Sequence, residues 1–383
     1  MNAPMTPVPI PTKRRNTWEK RSPTIRVMIV DDSLTVRTIF KRMVEEDQTM
    51  QVVSTASSAE RALAELEKTP ADVILLDLEM PGMGGLDALP EILKRAEGGQ
   101  VLVVSSLTLD GAEHTVSALS MGAADTMLKP RPGGFDEEYR GQLLSKIRAL
   151  GGDPDKASKS ETDAGDDGNT RPTAPKTASL AIKMDRPPQV VAIGASTGGI
   201  HALNIMLRQL APEFDLPILI TQHLPASFIP VFARQVEMAC ARRAVIAEDG
   251  TEIRRGEVAI APGHGHMQVQ RHGDRLVTRT LSAPAPSGCL PSVDPMFESL
   301  AEACQGRVLG VVLSGMGRDG LQGAQALVEA GATVVAQDAE SSAVWGMPGA
   351  VTKAGLSSLV APPEQLGQAL MKAARIAAAS EQS

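Results

Sequence analysis

Ser196 stands among glycines in Gly194-Ala195-Ser196-Thr197-Gly198-Gly199, directly after the apolar run Val190-Val191-Ala192-Ile193. Apolar Ile200, Leu203, Met206, Leu207 and Leu210 follow at helical spacing. A strand-to-helix turn of this kind exposes a hydroxyl, and the amides at the helix start point at whatever it attacks. A serine is a weak nucleophile at neutral pH; it needs a base, usually a histidine, and a third group to orient that base. His223 follows the run Pro217–Thr221, and Asp319 lies in the glycine-rich loop after Arg307–Leu313. Taken singly, Ser196 and Asp319 read as turn residues, His223 as a surface histidine, and the glycines as a phosphate loop. Taken together, hydroxyl, imidazole and carboxylate each end a strand and can meet at one sheet edge as a nucleophilic triad. The oxyanion formed on attack needs amide donors, for which Thr197 N–H and Met316 N–H are the candidates.

A second set of polar residues lies upstream. Asp31 and Asp32 follow the run Ile25–Val30, Asp77 ends Val73–Leu76, Ser105 ends Val101–Val104, and Lys129 ends Thr126–Leu128. Carboxylates gathered in one cleft repel one another and call for a hard cation with oxygen ligands, such as Mg²⁺. A cation there neutralises a phosphoryl group arriving on Asp77, whose oxygens Ser105 and Lys129 can bind.

Two alternating strand–helix stretches must position these groups. Residues 25–150 and 188–377 both have the rhythm of a doubly wound parallel sheet, with each polar group at the ligand-binding ends of the strands. The fold class is therefore α/β, with two such domains. In the second, Glu257–Ala261 and Met267–Val269 are expected to form a small antiparallel hairpin inserted into the sheet. Residues 1–24 read as a disordered arm and 151–187 as a flexible linker, because polar residues, Gly and Pro dominate them. The 383-residue chain carries a net charge of −7, which disfavours nucleic acid or direct membrane insertion as its business. The cysteines Cys240, Cys289 and Cys304 are dispersed, as in a cytoplasmic protein. Neither Cys289 nor Cys304 is tied in sequence to a histidine or basic group that would make it a nucleophile. His264 and His266 share a strand face but lack a nearby third ligand.

The motifs carry two resemblances. Asp31-Asp32, the run Val73–Gly85 with Asp77, Ser105, and Lys129-Pro130 together resemble a response-regulator receiver domain. The resemblance implies a flavodoxin-like fold, Asp77 as phosphoacceptor, and Mg²⁺ held by Asp31, Asp32, Asp77 and the main-chain carbonyl of Glu79. Ser105 becomes the switch hydroxyl, Lys129 the phosphate partner, and a histidine kinase the phosphodonor. The second stretch is similar to the CheB family of chemotaxis protein-glutamate methylesterases. The resemblance rests on Ile193–Gly199, Thr221–Pro225, Ile260–Gly263 with His266-Met267, Pro291–Asp294, Leu313–Gly317 with Asp319-Gly320, and Trp345–Pro348. It implies Ser196 as nucleophile, His223 as base and Asp319 as its orienter. The family usually places Arg before Pro-Ser-Val-Asp, where Leu290 stands here after Cys289. Arg318 replaces the usual Asn, and Ser314 the usual Thr. These changes alter charge and shape beside the expected receptor groove.

The expectation is a phosphorylation-activated serine esterase. It hydrolyses glutamate methyl esters on methyl-accepting receptors, and the resemblance adds deamidation of receptor glutamines. The receiver acts as an inhibitory cover, and the ester chemistry needs no cofactor. Two rival classes are a non-catalytic phosphorylation-dependent receptor adaptor and a nucleotide-binding output domain. The second lacks the lysine of a P-loop and the spacing of a dinucleotide loop.

Overall fold

A computed structural model describes residues 24–106, 108–130, 134–152, 184 and 186–381. The expected arm, except residue 24, and most of the expected linker lie outside the described residues. The chain divides into two compact units, Met1–Gly152 and Asp153–Ser383.

The first unit runs β1 (Ile25–Val30), α1 (Leu34–Glu45), β2 (Met50–Ala56), α2 (Ala59–Leu66), β3 (Val73–Asp77), α3 (Gly85–Arg95), β4 (Gln100–Ser105), α4 (Leu109–Met121), β5 (Asp125–Leu128) and α5 (Glu137–Gly151). Its sheet is parallel, in the order β2-β1-β3-β4-β5. Strand β3 is buried along its whole length, which is why it reads as an unbroken apolar run ending in Asp77. Side-chain caps start several helices: Ser33, Ser58 and Asp136 accept from Val36, Arg61 and Tyr139 amides. Strand order reverses between β1 and β3, and Val30 pairs with Leu76. Asp31 and Asp77 therefore flank the crevice at the switch point of the sheet.

The second unit runs β6 (Val190–Ala195), α6 (Gly199–Leu207), β7 (Ile218–Gln222), α7 (Ile229–Cys240), β8 (Ala244–Ile246), β9 (Val258–Ile260), β10 (His266–His272), β11 (Arg275–Leu281), α8 (Asp294–Cys304), β12 (Val308–Val312), α9 (Leu321–Glu329), β13 (Thr333–Gln337), α10 (Met347–Lys353), β14 (Leu359–Ala361) and α11 (Pro363–Glu381). Seven parallel strands lie in the order β14-β13-β12-β6-β7-β9-β8. Contacts pair α6 with α7 and α11, and α9 with α8 and α10, so two helical layers flank the sheet. Order reverses between β12 and β6, again creating a crevice at the strand ends.

One expectation requires correction. Val258–Ile260 is not a hairpin arm; it is β9, paired in parallel between β7 and β8. All three of its residues are buried, the mark of an interior parallel strand. The antiparallel hairpin is β10 with β11, joined at His272–Arg275. There Met267 and Val269 are buried on the side packed against α8, while Gln270 and His272 face water. The edge amide of Val269 donates to Ser299 Oγ on α8 at 2.9 Å. No helix among the described residues is long and apolar enough to cross a membrane.

Candidate active site

The nucleophile turn is built by β6 and α6. Gly198 caps α6 with φ +76, and a Cβ there would lie 2.7 Å from Ser314 Oγ. Strand registers do the rest. Gly194 pairs with Val312 of β12, and Ala195 with Gln222 of β7. Ser196 thus emerges between the two loops that carry Asp319 and His223. Ser196 N donates to Ser314 O, and His223 N donates to Ala195 O, each at 3.0 Å.

Ser196 Oγ lies 3.1 Å from His223 Nδ1, and His223 Nε2 lies 2.6 Å from Asp319 Oδ2. A carboxylate only accepts, so Nε2 carries the proton toward Asp319 and Nδ1 is left to accept from the serine hydroxyl. Asp319 is buried and further bonded: Ser292 Oγ donates to Oδ1 at 2.6 Å and Val293 N to Oδ2 at 2.7 Å. Burial raises the pKa of this carboxyl, but the hydrogen bonds from His223, Ser292 and Val293 outweigh it and hold it well below the carboxylate range. Burial pushes His223 down, yet the Asp319 bond, with Cys289 beside it, carries it above the ordinary histidine range. A hydroxyl on an imidazole that is anchored to a buried carboxylate is equipped for acyl transfer.

The adjoining motifs support this geometry. Gly315 has no room for a side chain: a Cβ would stand 2.3 Å from Met347 Sδ and 2.8 Å from Ser196 Cβ. Gly346 and Met347 amides both donate to Gly315 O, which fixes the loop presenting Met316. Ser314 Oγ donates to Thr197 O at 2.7 Å, and Gln222 Nε2 to Ser196 O at 3.0 Å. His266 is buried; its Nδ1 accepts from Ser292 N and its Nε2 donates to Ala283 O, both at 2.9 Å. His264 lies 3.5 Å from Glu248, so the two histidines serve separate partners.

Several of these contributors were not singled out in sequence. Ser292 and Gln222 lie inside recognised motifs, but nothing in their spacing says which atom they hold. Buried Asp294, raised to about 7 chiefly by burial and also by Asp319, accepts from Gly323 N at 2.8 Å. Nothing in the sequence ties Cys289 to a histidine. In fact its Sγ, a His223 nitrogen and an Asp319 oxygen all lie within 4.8 Å of one another. The loop 282–293 returns it to the imidazole, a contact no local pattern announces.

Ser292→Ala removes one donor to a buried carboxylate, worth about 1.5–3 kcal/mol. The expected outcome is a turnover loss of roughly 10-fold with little change in KM, read by steady-state kinetics.

In the first unit, Lys129 Nζ lies 2.6 Å from Asp77 Oδ2 and 3.0 Å from Asp31 Oδ2. Glu79 N donates to Asp77 Oδ1 at 3.0 Å. Burial raises Asp77 to about 6 against the pull of Lys129. Ser105 Oγ is buried without a hydrogen-bond partner among the described residues, and so is Asp31 Oδ2 apart from its ion pair with Lys129. Oxygens of Asp31, Asp32 and Asp77 gather within 4.8 Å, a donor set that fits a hard divalent cation.

A receiver domain joined to an α/β domain with a serine–histidine–aspartate constellation is the class these features define. The response regulator receiver domain family matches residues 27–134, and the CheB methylesterase family matches residues 191–370. A protein-glutamate methylesterase/protein-glutamine glutaminase of Paramagnetospirillum magneticum is 42% identical over 369 residues, covering 91% of this chain and 96% of the relative. One from Azospirillum brasilense is 40% identical over 376 residues, covering 92% and 94%. The crystal structure of the Thermotoga maritima CheB methylesterase catalytic domain is 31% identical, with a TM-score of 0.47, covering 48% of this chain and 98% of that one. The chain belongs to the CheB family of receiver-linked protein-glutamate methylesterases.

Proposed function

We propose that this chain is a phosphorylation-controlled esterase that removes methyl groups from glutamate side chains of methyl-accepting chemoreceptors and deamidates selected receptor glutamines. The observation that carries the reading is the continuous hydrogen-bonded line from Ser196 through His223 to Asp319. Ser196 Oγ attacks the ester carbonyl while His223 Nδ1 takes its proton. The Thr197 and Met316 amides receive the developing oxyanion. His223 then gives the proton to departing methanol. It next takes one from the attacking water and returns it to Ser196 as free glutamate leaves. Asp319 keeps the imidazole in the required tautomer and stabilises its cation.

Residues 25–150 form the receiver in this reading, 151–187 the linker and 188–377 the catalytic domain, and the protein works in the cytoplasm. A histidine kinase supplies the phosphoryl group to Asp77. Asp31, Asp32, Asp77 and the Glu79 carbonyl would hold Mg²⁺, which screens charge as the phosphoryl group arrives. Lys129 and Ser105 bind its oxygens and bias a two-state surface that releases the esterase.

The test is methanol release from methyl-labelled receptor membranes, with and without a small phosphodonor. Wild type is expected to accelerate with the donor. Asp77→Asn is expected to keep the basal rate and lose the acceleration. Equal acceleration of both proteins would refute control through Asp77, and no methanol from either would refute the esterase. The same variant is expected to stabilise the receiver. Ionising a carboxyl raised to about 6 costs stability above that pH and nothing below the ordinary carboxylate value. A gain of about 1–2 kcal/mol at pH 7, fading on acidification, is expected by thermal melting.

A further inference from the structure

Among the described residues there are two clusters of metal-ligating side chains, and they differ in kind. The receiver cluster of Asp31, Asp32 and Asp77 is all oxygen. The cluster in the second unit offers an imidazole nitrogen from His223, a thiol from Cys289 and a carboxylate oxygen from Asp319. Mixed nitrogen, sulfur and oxygen donors select a borderline cation, above all Zn²⁺, over Mg²⁺. We propose that Zn²⁺ binds at His223, Cys289 and Asp319 and silences the esterase.

Two of the three groups are already fixed. Asp319 is buried and held by Ser292 and Val293, and His223 is held by Asp319. Cys289 is half-buried, unlike Cys240 and Cys304, so ions arriving from solvent reach it. Its amide donates to Ser287 Oγ at 3.3 Å, and Ser287 Oγ in turn donates to Ser292 Oγ at 3.2 Å. The thiol is thereby tied to the turn that grips Asp319. Three protein ligands and a water complete a tetrahedron. The 2.6 Å separation of Nε2 and Oδ2 must open by roughly 0.7 Å to reach the edge of such a tetrahedron.

Inhibition follows from the tautomer. A cation shared with Asp319 takes the Nε2 lone pair, because Nε2 is the nitrogen that faces that carboxylate. A neutral imidazole metallated at Nε2 carries its proton on Nδ1. Nδ1 then donates toward Ser196 Oγ and has no lone pair to accept the serine proton. The Cys289 thiol proton leaves to solvent as the sulfur ligates. The receiver is not involved. The loss of activity rests on the triad reading above; the metal binding does not.

The test uses the full chain in excess Mg²⁺, which satisfies the receiver carboxylates, with Co²⁺ as the spectroscopic probe. A near-ultraviolet thiolate-to-cobalt band is expected at one equivalent, displaced by Zn²⁺. It is expected to vanish in Cys289→Ser and Cys289→Ala, with Zn²⁺ affinity falling at least about tenfold. Methanol release by wild type is expected to stop with Zn²⁺ and recover with chelator. Each variant, scored against its own metal-free rate, should need at least about tenfold more Zn²⁺. No band in wild type, or a band that survives in both variants, would overturn the site whether or not the chain releases methanol. A band without inhibition would overturn the silencing.

Discussion

Ser196→Ala is expected to reduce methanol release by roughly 10³–10⁶-fold, the range seen when a serine nucleophile is removed from a preorganised site. Water must then attack the ester directly, and the covalent route that splits one hard step into two easier ones is lost. The rate remaining is what binding and amide donors supply alone. The fold should barely respond. Ser196 is half-exposed, and its one described side-chain hydrogen bond is that to His223 at 3.1 Å. Its backbone bonds to Ser314 and Gly199 do not depend on the hydroxyl. The melting temperature should therefore stay near that of wild type while release of labelled methanol from receptor membranes falls to background. Full activity in a folded Ser196→Ala protein would remove the serine from the mechanism.

Asp319→Asn should cost roughly 10³–10⁴-fold in turnover and move the pH profile in a stated direction. In wild type, burial pushes His223 down, but the bond to Asp319, with Cys289 beside it, outweighs burial and holds the ring above its ordinary range. The base form is therefore gained as pH rises beyond neutrality, and the rate should climb on that side. Without the charge, burial, the largest single influence on the ring, meets less opposition and favours the neutral form. The ascending limb should then move to lower pH, even as the maximum falls. The fall has a tautomeric cause, because an amide NH₂ directed at Nε2 places the ring proton on Nδ1, facing the serine. Ser292 O–H and Val293 N–H would also lose their charged acceptor. A full kcat/KM profile against pH separates the two effects. An unmoved limb at an unchanged rate would sink the role of Asp319 as orienter.

Both predictions concern residues legible from position alone. Val190–Ile193, Pro217–Thr221 and Arg307–Leu313 are apolar because interior parallel strands are buried on both faces, and such strands end at a ligand-binding rim. Ser196, His223 and Asp319 could be placed at that rim before any contact was visible. The same reasoning placed Asp31, Asp77, Ser105 and Lys129 in the receiver. It failed at β9, where three buried residues carry too short a pattern to separate an interior strand from a hairpin arm.

Residue types and strand ends thus determine which groups reach each crevice, since that depends on local patterning and on the handed rules of parallel sheets. Which partner each atom meets was decided by tertiary structure. That Ser292 and Val293 hold Asp319, that His266 anchors Ser292, and that Cys289 comes beside His223 all depend on where the loop 282–293 lands. The physical reason is range: periodicity acts over a few residues. These contacts join residues at least 26 positions apart, and packing alone sets their distances.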